Sequence, residues 1–177
     1  MRRKIIASAA VAWLAFASCS TAQTPGFPPA TQRSFAELRA RVARADSSDG
    51  QELQLRWFAI EGAAQPASDV TVLDRRRGIG PLPQERDPQL SEDRLVVISV
   101  DATGRELDWR LVLDPRLVRA EFPDAQGRLS GRTFQRTEVN LLVDVPNNPD
   151  IVRLRIYAPQ LTNDGFVLNL LATVDLP

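Results

Sequence analysis

The chain has 177 residues, with 22 basic and 22 acidic side chains, and it contains no histidine. Its only lysine is Lys4 and its only cysteine is Cys19. These absences exclude Ser-His and Cys-His relays, as well as zinc sites of the cysteine and histidine kind. Past the first residues they also exclude a Ser-Lys dyad and a P-loop lysine. We therefore expect a protein that is not an enzyme and that needs no cofactor and no metal.

The first 22 residues have the pattern of an export leader. A basic start precedes an uncharged run from Ile5 to Ala17, which is too short to span a bilayer as a helix. Two cleavage positions stay open: after Ala22, or before Cys19 with Ala17-Ser18-Cys19 as a lipobox. In the second case Cys19 is the lipid attachment residue. Phe16 departs from the leucine that is usual in a lipobox.

Without the leader, 19 basic residues face 22 acidic ones. This balance predicts no nucleic-acid binding, and contact with a membrane only through a lipid on Cys19. The single basic cluster, Arg75 to Arg77, is predicted to lie in a solvated loop. We expect an exported protein: a periplasmic or outer-membrane lipoprotein, or alternatively a soluble periplasmic or secreted one.

Residues 23–50 are predicted to form a tether followed by one short helix. The proline-rich start is typical of an extended tether. In the sequence SFAELRARV, Ser34 and Glu37 have the spacing of a capping box. Phe35, Leu38 and Val42 then recur on one helical face.

From residue 51 to 177 the hydrophobic period changes to two, which indicates strands. The segments QELQLRWFAI, RELDWRLVL and EVNLLVDV alternate apolar and polar residues, and RLVVISV is apolar throughout. A long loop is predicted over residues 76–93. The pattern favours a mainly β fold, an antiparallel immunoglobulin-like sandwich of about seven or eight strands, with a barrel as the alternative. Trp57 and Trp109 are the predicted centre of its core.

The stretch from about residue 95 to 157 resembles the N-terminal β-sandwich domain of bacterial M64-type metallopeptidases. The similar elements are VDATGRELDW, the RTF at 132–134, an apolar strand that ends at Pro146, and VRLRI. That family's peptidase half needs a zinc-binding HExxH motif. Because this chain has no histidine, the resemblance implies an accessory or binding domain alone.

Three groups of residues are candidate sites. The segment LVRAEF, bracketed by Pro115 and Pro123, is predicted to be an edge strand that either pairs with a partner strand or is protected by its charges. Its candidate partner residues are Leu117, Val118, Arg119 and Glu121.

A second group is a set of carboxylates predicted on outward strand faces, either an acid/base pair or cross-strand ion pairs: Glu106, Asp108 and Glu121. The third is a set of turn residues with oxygen ligands suited to Ca²⁺, or with a turn role alone: Asp101, Asp124, Asn147, Asn148, Asp150, Asn163 and Asp164.

These observations predict a non-catalytic extracytoplasmic module, tethered near the cell envelope, whose partner is another envelope protein. Two alternatives stay open. One is a carboxylate-dependent hydrolase of envelope glycans, which needs two carboxylates roughly 5 to 9 Å apart in a cleft. The other is a calcium-dependent adhesion module.

Overall fold

The computed structural model describes residues 32–46, 48–60, 67–83, 86–123 and 125–177. It is mainly β, with antiparallel sheets and a single short helix in this part of the chain. The predicted leader, Cys19 and Asp124 lie outside the described residues. The strands are β1 (Gln32–Ser34), β2 (Asp49–Ile60), β3 (Ala67–Pro81), β4 (Arg94–Val100), β5 (Glu106–Leu113), β6 (Leu117–Pro123), β7 (Leu129–Gln135), β8 (Glu138–Pro146), β9 (Arg153–Thr162) and β10 (Gly165–Asp175).

Two sheets form a sandwich, as the alternating pattern predicts. One has five strands in the order β1-β10-β9-β4-β5, and the other has three in the order β3-β2-β8. Between them lies a core that takes Leu53, Leu55 and Trp57 from the small sheet and Leu154 and Ile156 from the large one. The sandwich prediction is therefore confirmed at this level, while its immunoglobulin-like version stays a prediction.

A second apolar cluster covers the other face of the large sheet. The helix α1 (Phe35–Arg41) packs there with Phe35 and Leu38 against Trp109 and Tyr157. The Phe35 and Trp109 rings meet edge to face, with their centroids 5.4 Å apart. Both predicted tryptophans are buried, but on opposite faces of the large sheet, because Trp57 lies between the two sheets.

The start of the folded part differs in detail from the sequence pattern. Ser34 occupies the N-cap position of α1, as expected, but its side chain makes no capping hydrogen bond. The three residues before the helix form β1, which pairs with β10. The segment from Gln32 onward is therefore part of the sandwich body.

The prediction of a loop for Arg75, Arg76 and Arg77 is wrong, and the loop predicted from residue 76 begins only after Pro81. All three arginines belong to β3, which follows β2 as far as Asp49. Polar side chains on β2 contact the first two: the Arg75 Nε donates to the Gln51 Oε1 at 2.6 Å, and Arg76 pairs with Glu52 at 3.4 Å. Cross-strand pairing thus extends a strand whose own sequence lacks apolar alternation.

Candidate functional site

Strands β6 and β7 form an antiparallel hairpin that is a sheet of its own. Every residue of β7 is exposed, and no residue of β6 is fully buried. The register sets Val118 opposite Phe134, Ala120 opposite Arg132 and Phe122 opposite Ser130. The hairpin therefore stands out from the sandwich and offers two faces and two edges.

One face of the hairpin carries an exposed aromatic pair. Phe122 and Phe134 are 45% and 46% exposed, and their rings meet edge to face with centroids 5.9 Å apart. Ala120 lies between them on this face, where its small side chain leaves room for the rings to approach. Val118 and Arg132 complete the surface, which we call the aromatic face. Contiguous exposed apolar patches are typical of interaction sites, whereas isolated exposed apolar residues are common on any surface. The contact between the two rings therefore makes this face the candidate site.

A buried ion pair anchors the hairpin to the body. The Arg116 guanidinium donates to both carboxylate oxygens of Asp114, and its Nη2 lies 2.7 Å from the Asp114 Oδ2. The Arg116 Cζ also lies 4.4 Å from the ring centroid of Trp57 in the core. The Arg116 carbonyl accepts the N–H of Arg136, which closes the base of the hairpin.

The hairpin's outer charges are held more loosely. Arg119 pairs with Asp93 at 3.2 Å, and 75% of the Arg119 side chain is exposed. A hydrogen bond from the Ser91 hydroxyl lowers the pKa of Asp93, and Arg119 lowers it further. Such an exposed pair contributes little to stability, so Arg119 is available to another carboxylate.

A second polar cluster lies on β5, where Asp108 is fully buried. The prediction that this carboxylate points outward is wrong, because it lies on the face that meets the segment after α1. It accepts the Ala45 N–H at 2.7 Å and the Arg110 Nε at 2.8 Å, and Arg110 also donates to Asp46. Burial raises the pKa of Asp108, and these bonds oppose the rise. The cluster satisfies its own charges, which indicates a structural role.

A cavity of about 390 Å³ opens beside this cluster. Among its lining residues Asp144 is the only carboxylate, and burial and the neighbouring Glu52 raise its pKa. Glu52 lies opposite Asp144 on the next strand but does not line the cavity, and it pairs with Arg76. The lining residues are Arg44, Pro83, Arg110, Leu111, Val112, Leu142 and Asp144. This cavity thus lacks the two carboxylates that a glycosidase site needs.

The structure does not bring the other predicted carboxylates together. Glu106 is half-buried and pairs with Arg33, with Arg155 at 3.6 Å, whereas Glu121 is exposed on β6. Asp101 binds within its own turn, to Thr103 and Arg105. In the described ranges no three Asp, Glu, His or Cys residues are grouped so that they could hold a metal ion.

The predicted partner residues Leu117, Val118, Arg119 and Glu121 all lie on β6. Sequence reasoning missed β7 and therefore the aromatic face. The sequence signal for β7 was weak, because it consists only of a glycine turn at Gly127 and of Phe134 within a polar run. In the structure Gly127 does form a turn, with a φ of +75°. A strand that is exposed on both faces has no buried alternation by which to recognise it.

None of the helices in the described ranges is long and apolar enough to cross a membrane. The suspected resemblance to the M64-type N-terminal domain stays a prediction. Comparison of the chain with protein-family models, with curated proteins and with solved structures finds no match in any of the three.

Proposed function

We propose that the protein is a non-catalytic binding module of the cell envelope. The exported chain is tethered through a lipid on Cys19, and the aromatic face of the β6–β7 hairpin contacts another envelope protein. The export and the tether rest on the leader pattern of the sequence.

The observation that carries this proposal is the exposed pair of Phe122 and Phe134 on a hairpin that pairs with no other strand in the described residues. Aromatic residues and arginine are enriched at protein interfaces, and they supply large contact areas from few side chains. Arg132, on the same face, provides donors in a rigid fork for a partner carboxylate or carbonyl. The buried Arg116 fixes the base of the hairpin, and a surface that is held in place before binding has a lower entropic cost of binding.

The two alternatives have less support. For a glycan hydrolase, Asp144 is the only carboxylate among the residues that line the cavity beside β5 and β8. For a calcium-dependent module, the turn carboxylate of Asp101 is already engaged by Thr103 and Arg105.

The proposal is tested by photo-crosslinking in the native envelope. A photoreactive phenylalanine analogue replaces Phe134 in one full-length variant and the exposed Leu113 in a matched control. We expect a specific crosslinked protein from position 134 and none from position 113.

The double variant Phe122→Ala/Phe134→Ala then tests whether the rings provide the affinity. Because hot-spot aromatics each contribute more than about 1 kcal/mol, recovery of the identified partner by affinity purification, without a photoreactive residue in either protein, should fall at least tenfold. A control double variant, Leu113→Ala/Leu161→Ala, removes exposed apolar side chains outside the hairpin and should leave recovery unchanged. Equal recovery from both double variants would contradict the proposal.

A further inference from the structure

The outer edge of β6 has backbone groups that β7 does not use. The Arg136 N–H donates to the Arg116 carbonyl, which puts residues 116 and 136 at a hydrogen-bonding position of the ladder, although the Arg116 N–H donates to the Asp114 carboxylate. In an antiparallel ladder such pairs alternate, so Val118, Ala120 and Phe122 direct their N–H and C=O groups toward β7. Arg119 and Glu121 direct theirs to the opposite side, where no strand of the described residues pairs with β6.

The sequence of β6 is self-complementary about Ala120. If two copies of β6 pair antiparallel around a two-fold axis at this residue, Arg119 of one copy lies opposite Glu121 of the other, twice. On the other face Val118 lies opposite Phe122, also twice. Opposite charges and aromatic–β-branched pairs are both favourable cross-strand neighbours. A two-fold axis at Arg119 or at Glu121 would instead set like charges against each other.

We propose that two copies of this chain associate through the outer edges of β6, which joins the two hairpins into one four-stranded antiparallel sheet. The same symmetry makes the interface isologous, as in most homodimers. Strand β7 lacks this property, because the two-fold axis at its middle residue would set Arg132 against itself.

The charges on β6 also favour pairing with β6 of a second copy. Arg119 has to exchange its exposed contact with Asp93 for Glu121 of the second copy, and an exposed pair costs little to break. Pro123 has no N–H to donate, and it falls at the end of the paired stretch, where proline is tolerated in a sheet edge.

Self-association goes beyond the proposed function. It would also enlarge the aromatic face through which that function binds a partner. Residues 118 and 122 of both copies lie on the same side of the joined sheet, so the two aromatic faces become one. Two short strands bury less area than a permanent dimer needs, so we expect a weak dimer. Attachment of both copies to one membrane would raise their effective concentration.

Charge reversal tests the pairing in protein produced from the full-length sequence and kept in mild detergent. Sedimentation is measured from about 1 to 100 µM, a range that brackets a Kd of about 10 µM. We expect Arg119→Glu and Glu121→Arg each to weaken self-association at least tenfold. The two variants mixed in equal amounts should associate again, since the pair regains opposite charges at both positions. The double variant Arg119→Glu/Glu121→Arg should also self-associate. Arg86→Glu, at an exposed position outside the hairpin, is the matched control and should leave self-association unchanged.

The position of the axis is tested separately by cysteine crosslinking. In a Cys19→Ser background, Ala120→Cys should form a disulfide between copies, because the axis brings residue 120 opposite itself at a distance that suits the bond. Thr133→Cys, on β7, should form none.

A monomeric wild-type protein throughout the concentration range would overturn the proposal. Dimers that persist unchanged in both single charge reversals, or equal crosslinking from positions 120 and 133, would also overturn it. None of these results bears on the crosslinked envelope partner, so the two proposals fail independently.

Discussion

At the scale of single residues, buried carboxylates in this protein are held by nearby donors. Asp101 shows this most clearly, because its side chain accepts the Thr103 hydroxyl and the backbone N–H groups of Thr103 and Arg105. These bonds, above all the one from the Thr103 hydroxyl, lower the pKa of Asp101 to about 2. The same residue directly follows β4 and begins the turn to β5.

A depressed folded-state pKa makes the stability contribution of Asp101 dependent on pH. The contribution is present above the unfolded-state pKa of about 4, and it is lost as the pH falls through about 2. We expect Asp101→Asn to lower the free energy of unfolding at neutral pH. The difference from wild type should shrink toward zero between about pH 4 and pH 2. Urea unfolding at several pH values measures this, with Asp164→Asn in an exposed turn as the control. A difference that stays constant down to about pH 2 would be inconsistent with this role of the charge.

At the scale of elements, the hairpin depends on an anchor outside its own strands. Asp114 and Arg116 are both buried at the base of β6, and the Arg116 guanidinium covers Trp57. The sequence DPRL predicts a turn before a strand, but it gives no sign that the arginine turns inward. That arrangement depends on a tryptophan almost sixty residues earlier in the chain.

Removal of this anchor should loosen the hairpin and destabilise the sandwich. We expect Arg116→Met to lower the free energy of unfolding by about 3 to 5 kcal/mol, because it leaves the buried Asp114 without its counter-charge. Amide exchange in β6 and β7 should also become faster. The control is Arg119→Met, which breaks only the exposed pair with Asp93 and should cost less than about 1 kcal/mol. Similar losses from the two variants would show that burial of the Arg116 pair does not matter.

Some strands could be predicted from the sequence, and others could not. Strand β8 was recognisable because Val139, Leu141, Val143 and Val145 alternate with polar residues and one side of the strand is buried. Strand β7 was not, since all of its residues are exposed. The buried Asp108 was also missed, because a charged residue within an alternating strand is normally read as facing water.

At the scale of the whole molecule, α1 and the two sheets form three layers, and the hairpin stands outside them. The apolar clusters on the two faces of the large sheet share no residue. The large sheet is therefore covered on both faces, which explains why RLVVISV is almost entirely apolar and buried. The aromatic face, by contrast, lies on a two-stranded sheet that belongs to neither sheet of the sandwich.

The proposed lipid tether on Cys19 also concerns the whole molecule, because it would determine where the protein is held. We expect Cys19→Ser to move the protein from the membrane fraction to the aqueous fraction and to abolish a diacylglyceryl mass on the mature N-terminus. Ser18→Ala, which keeps a small residue beside the cysteine, is the matched control and should remain in the membrane fraction. Identical, unmodified N-termini at Gln23 in wild type and the Cys19→Ser variant would rule out the anchor.

Periodicity and composition alone predicted the mainly β class, the one helix of the described residues and the burial of Trp57 and Trp109. Each of these depends on local periodicity or on which residue types are present, and both can be read along the chain. Three features could be found only from the folded chain: Arg75 to Arg77 continue a strand, Asp108 is buried, and Phe122 and Phe134 meet on an exposed hairpin. Each of these depends on a partner distant in sequence, which sets register and burial. These partners can be identified only once it is known which strands pair.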